Sequence, residues 1–121
     1  AADSSSGLIV AVGGDYRPDA LSQLTAAWSD DQGESWQTAT IPPPTFRSAV
    51  VACPVDAVFQ LEERQVRPRF VATGPTGTDY SSDGRNWVNF TEVGFHALTV
   101  TAQNIYAVGS EGRFGRLKFN P

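Results

Sequence analysis

Ser29-Asp30-Asp31-Gln32-Gly33-Glu34-Ser35-Trp36 is the stretch on which the fold turns. Its spacing, Ser-x-Asp-x-Gly-x-Ser-Trp, suits a tight polar hairpin. An aspartate two residues after a serine accepts hydrogen bonds from the backbone N–H groups of the turn that follows. Gly33 permits a positive φ where other residues are strained. Ser35 closes the polar loop, and Trp36 brings a large apolar ring to the exit of the hairpin. A degenerate copy, Ser81-Ser82-Asp83-Gly84-Arg85-Asn86-Trp87, is one residue shorter between Asp and Gly.

Working outward from these hairpins, the chain repeats. Three apolar, β-rich runs end in Ala-Val-Gly or Ala-Thr-Gly: Leu8-Ile9-Val10-Ala11-Val12-Gly13, Phe70-Val71-Ala72-Thr73-Gly74 and Ile105-Tyr106-Ala107-Val108-Gly109. Two further runs, Phe46-Arg47-Ser48-Ala49-Val50-Val51 and Phe95-His96-Ala97-Leu98-Thr99-Val100, read as strands buried on both faces. Placed on a four-stranded unit with strands A to D, residues 7–13, 24–29 and 35–40 are B, C and D. Residues 46–53, 69–74, 78–82 and 86–91 form a complete A-B-C-D unit. Residues 95–101, 104–109 and 114–119 are A, B and C.

The sequence therefore predicts an all-β chain of about three four-stranded antiparallel blades of a β-propeller. They are an incomplete blade at 7–40, a complete one at 46–91 and an incomplete last one at 95–119, with no second domain. The first blade is expected to lack its inner strand and the last its outer one. Propellers close with four to eight blades. The expectation is thus the C-terminal part of a longer protein, or a chain whose copies close a ring.

Both hairpins place the chain. Ser29, Asp31, Gly33, Ser35 and Trp36 match every defined position of the Asp-box, and Ser81, Asp83, Gly84 and Trp87 match it in degenerate form. The chain resembles the Asp-box (BNR-repeat) propellers, and among them the bacterial WD40/YVTN/BNR-like proteins related to photosystem II stability and assembly-factor-like propellers. Val12-Gly13-Gly14-Asp15-Tyr16, Phe46-Arg47-Ser48-Ala49-Val50, Gly74-Pro75-Thr76-Gly77-Thr78-Asp79, Gly94-Phe95-His96-Ala97 and Ala107-Val108-Gly109-Ser110-Glu111-Gly112-Arg113 carry the likeness over residues 7–119. The resemblance implies a propeller, without an activity. It also implies that the boxes are structural and lie opposite any active face.

Composition excludes several classes. The 121 residues carry a net charge of −4, the wrong sign for a nucleic-acid binder. Arg113, Arg116 and Lys118 form a basic cluster, read as a solvated strand face. Cys53 is the single cysteine, set in the apolar run Ala49-Val50-Val51-Ala52, and reads as a buried structural thiol. His96 is the single histidine, and with scattered carboxylates it lacks the ligand spacing of a zinc site; no cofactor is expected. No apolar run is long enough for a membrane-spanning helix. The compartment stays open, a secreted or extracytoplasmic one included.

Strands alternate in direction, so the D-to-A and B-to-C connections share the face opposite the boxes. Candidate ligand-binding residues at that channel mouth are Asp15, Tyr16, Arg47, Thr76, His96 and Glu111. Arg47 and His96 each follow a Phe and read as equivalent positions. Together these groups suit an anionic or polar ligand; the competing reading makes them ties between blades. The predicted function is a non-enzymatic binding or assembly module, with partners being a protein, further blades or copies of the chain. The alternative is a sialidase-like glycoside hydrolase with Tyr16, Arg47, Asp15 and Glu111 on its active face and the remaining catalytic residues outside this chain. The segment Gln60–Pro68 reads as a solvated insertion.

Overall fold

A computed structural model describes residues 1–15 and 24–120. The chain is all-β. Its strands are β1 (Ile9–Val12), β2 (Ala26–Ser29), β3 (Gln37–Thr38), β4 (Ala49–Ala52), β5 (Phe59–Leu61), β6 (Arg64–Val66), β7 (Phe70–Gly74), β8 (Gly77–Ser81), β9 (Trp87–Thr91), β10 (Ala97–Val100), β11 (Asn104–Val108) and β12 (Phe114–Lys118). They form antiparallel sheets in the orders β1-β2-β3, β4-β7-β8-β9 and β10-β11-β12, with β5-β6 as a separate hairpin. Strand order follows chain order within each sheet and every neighbouring pair is antiparallel, with the β5-β6 hairpin lying between β4 and β7 in the chain.

Successive side chains of a strand point to opposite faces, so every sheet has two faces to cover. Leu8, Val10, Ala26, Trp28 and Ala39 of the first sheet form one cluster with Phe70, Ala72 and Trp87 of the middle sheet. The opposite face of the middle sheet gives Val71 and Tyr80 to a second cluster, which holds Ile105 and Phe119. The middle sheet is thus sandwiched. All five residues of β7 and all five of β8 are buried. The continuous apolar reading of Phe70–Gly74 has this cause, since both faces lose water.

The structure corrects the sequence reading in four places. Residues 1–3 fold back onto the free edge of β1. Ala1 N–H donates to the Val10 carbonyl and Val10 N–H to the Ala1 carbonyl, both at 2.8 Å. Ala2 bridges Ile9. A short strand segment therefore occupies the edge that β4 occupies in the middle sheet, where no inner strand was expected. Asp3 anchors the turn. Its carboxylate accepts from Ser5 Oγ at 2.9 Å and Ser6 Oγ at 2.8 Å, and it pairs with Arg69 at 3.3 Å.

Second, the segment 60–68 is exposed at Gln60, Glu62, Glu63, Arg64, Gln65 and Arg67, as a solvated insertion is, but it buries Val66. It belongs to the hairpin β5-β6, whose Phe59 is 1% exposed and packs edge-on to Tyr80 at 5.6 Å. Phe90 completes the aromatic group, 5.7 Å from Phe59. Third, Trp87 packs between two sheets, whereas its counterpart Trp36, the ring at the exit of the longer hairpin, remains 46% exposed.

Fourth, Arg47 and His96 are not equivalent. Ala49 pairs with Thr73, and Ala97 with Val108. Ser48 N–H donates to Thr73, and His96 N–H to Val108. The ladders therefore match His96 with Ser48 and Arg47 with Phe95. The shared Phe before each residue is an alignment slip of one position, and one residue moves a side chain to the other face.

Candidate functional site

The two polar hairpins have the same hydrogen-bonded centre. In the first, Gly33 N–H donates to Ser29 Oγ at 2.9 Å, and Ser29 Oγ donates to Asp31 at 2.8 Å. Asp31 then accepts from the Ser35 N–H at 2.9 Å and from the Ser35 hydroxyl. In the second, Gly84 N–H donates to Ser81 Oγ at 2.8 Å, and Asp83 accepts from the Arg85 and Asn86 N–H groups at 2.9 and 2.8 Å. Asn86 Nδ2 replaces the Ser35 hydroxyl, donating to Asp83 at 2.8 Å. Gln32 is the extra residue of the longer turn, with φ at 64°. The Ser35 hydroxyl and N–H, helped by Ser29, hold the Asp31 carboxyl down at about 2. Burial pushes the Asp83 carboxyl up, but the Asn86, Arg85 and Ser81 hydrogen bonds outweigh it and leave it lowered.

Every donor around these aspartates belongs to the same hairpin. This geometry makes a turn lock. Gly84 belongs to the lock: its φ is +78°, and a Cβ there would meet Leu8 Cδ2 at 2.7 Å.

On the opposite face, the connections between strands come together. Thr45 and Thr76 hydroxyls are 2.6 Å apart, Ser48 Oγ donates to the His96 carbonyl at 3.2 Å, and His96 Nε2 lies 3.0 Å from Ser110 Oγ. Arg47 is drawn inward from this group. It is 1% exposed and pairs with Asp79, itself fully buried. Its guanidinium also donates to Thr45 Oγ at 2.9 Å, the Phe46 carbonyl at 3.1 Å and Thr76 Oγ at 3.2 Å. Asn89 Nδ2 donates to Asp79 at 2.9 Å. A buried ion pair needs such partners to offset desolvation, and here they tie β4, β8 and β9 together.

His96, Ser110 and Glu111 remain exposed beside one another in the chain's last loops, with Glu111 at φ 60°. Thr76 is exposed, and Asp15 is partly buried at the end of the first sheet. Tyr16 lies outside the described residues. The accessible group is therefore a histidine, two hydroxyls and a carboxylate. It can exchange hydrogen bonds with a polar ligand. Among the described residues no carboxylate orients the His96 ring, and no cluster of His, Cys, Asp and Glu could hold a metal ion. Cys53 is buried, and burial pushes its thiol up to about 12, so it is not a nucleophile at neutral pH.

Sequence reasoning missed a largely apolar cavity of about 240 Å³ between the middle and last sheets, lined by Val71, Thr78, Phe90, Phe95, Leu98 and Leu117 among others. It lies where β12 has no outer neighbour.

No family model, curated protein or solved structure matches the chain. Among the described residues no helix is long and apolar enough to cross a membrane.

Proposed function

We propose that this chain forms part of an Asp-box β-propeller that acts as a non-enzymatic binding or assembly module. One observation carries the reading. Three antiparallel sheets follow one another along the chain, each in the same strand order, and successive sheets share their cores face to face. Radial repetition of such sheets is the propeller plan. The turn-locking hairpins recur at the same place in the repeat, which supports the Asp-box assignment. The exposed loops around His96, Ser110 and Glu111 would then rim the channel and offer a polar contact surface.

The hydrolase alternative has less support. A sialic-acid carboxylate needs arginines that face the ligand, and Arg47, the arginine that the sequence reading places at this mouth, is buried against Asp79. Fluorogenic sialosides and simple glycosides incubated with the protein should release no fluorophore above a blank. Turnover that disappears in His96→Ala would sink the non-enzymatic reading. A crystal structure should show the three sheets disposed about one axis; sheets stacked without such an axis would remove the propeller itself.

A further inference from the structure

The repeat register pairs positions that sit far apart in the chain. Val10, Val71 and Tyr106 are equivalent, as are Trp28, Tyr80 and Arg116, because each pair is cross-strand partnered in the same way. The hairpin alignment makes Trp36 equivalent to Trp87 and Glu34 to Arg85. At the junction between the first and middle sheets, Trp87 is buried among Val10, Ala26 and Trp28. Arg85 lies over the Trp28 ring, 4.1 Å from its centre.

Half of that junction recurs, uncovered among the described residues, on the outer faces of the first and last sheets. The outer face of the last sheet presents Tyr106, Val108 and Phe114 at 39, 54 and 77% exposure, at the positions of Val10, Val12 and Ala26. Arg116 stands at the position of Trp28. The outer face of the first sheet presents the exposed Trp36, with Glu34 beside it. The end faces therefore differ from the internal junction in one respect that matters for recognition. Where the internal junction sets a cation over an aromatic ring, the ends offer a carboxylate and a guanidinium.

Resting on the propeller reading, we propose that a second copy of this chain docks head to tail on these faces. Trp36 of one copy covers Tyr106, Val108 and Phe114 of its partner, and Glu34 meets Arg116. Both junctions of such a pair are identical. Two copies bring six sheets to the ring, inside the range of four to eight that closes. A heterologous contact that closes gives a finite ring, and one that does not close gives a filament.

Sedimentation analysis over a range of concentrations tests this. The expected result is a reversible equilibrium between one chain and two. Phe114→Asp should abolish the dimer. Glu34→Arg and Arg116→Glu should each weaken it by about tenfold, since each reversal strikes both junctions. The double variant should return to near wild-type affinity. These side chains are exposed, and circular dichroism should show an unchanged fold in all four variants. A chain that stays monomeric, assembles beyond two copies, or dimerises indifferently to these changes overturns the proposal. A folded monomer with radially arranged sheets would remove the dimer alone and leave the propeller reading standing.

Discussion

β7-β8 and β11-β12 are the same hairpin of the repeat in two environments. Phe70–Gly74 and Asn104–Val108 both run as apolar strands that end at a turn. In the middle sheet every position of the pair is buried. In the last sheet burial alternates along both strands: Ile105, Ala107 and Leu117 face inward, and Tyr106, Phe114 and Arg116 face out. The strands differ in what lies beyond them, since sheets cover only one side of the last hairpin. A second contrast follows from the equivalence of Asp79 with Gly115. The middle sheet buries an Asp79–Arg47 pair at this level, whereas Phe95 lies directly against Gly115 in the last sheet. The same fold position thus holds an ion pair in one repeat and a ring on a glycine in the next.

The sharpest way to break this comparison is Asp79→Ala. It leaves Arg47 buried without its counter-charge and should cost about 3–5 kcal/mol in a denaturant titration. A cost under about 1 kcal/mol would mean that the pair is solvated and that the middle sheet is less tightly enclosed than described. Next in size is the contrast between the two tryptophans. Trp87→Ala should cost about 3 kcal/mol. That is the low end for such a ring, because its buried Nε1 has no hydrogen-bond partner among the described residues and its removal relieves that deficit. Trp36→Ala, at the open face, should change monomer stability by less than about 0.5 kcal/mol. Equal costs would show that the two ends of the repeat are enclosed alike.

The smallest effect is a pH dependence. The folded Asp31 carboxyl is depressed to about 2 from 3.8, so its turn contributes stability above the higher value. That contribution falls as pH drops through the lower one. Asp31→Asn should flatten acid unfolding within this window and leave stability at neutral pH nearer to that of the acidified parent. A carboxyl resonance for Asp31 that titrates at its ordinary value would dissolve the turn lock.

Much of the strand pattern was legible because it is written locally. Period-two alternation, Gly at turn ends and the serine–aspartate spacing act over a few residues. Every expected strand from 7–13 to 114–119 coincides with a strand of the structure. The candidate mouth was legible only in outline. Topology brings Thr76, His96, Ser110 and Glu111 to one face, but Arg47 turns away into a pair with Asp79 that sequence spacing does not announce. The equivalence drawn between Arg47 and His96 failed because two Phe residues looked alike while the hydrogen-bond ladders ran one residue apart.

By itself the sequence determined the all-β class, the repeat and the hairpin chemistry, since these depend on neighbours along the chain. The tertiary structure alone decided which hairpin is enclosed, where residues 1–3 dock, that Phe59 fills an aromatic group from a distant hairpin, and which tryptophan stays open. Those outcomes depend on the register and stacking of sheets whose strands are far apart in sequence, and on the fact that a face is buried only when something lies against it.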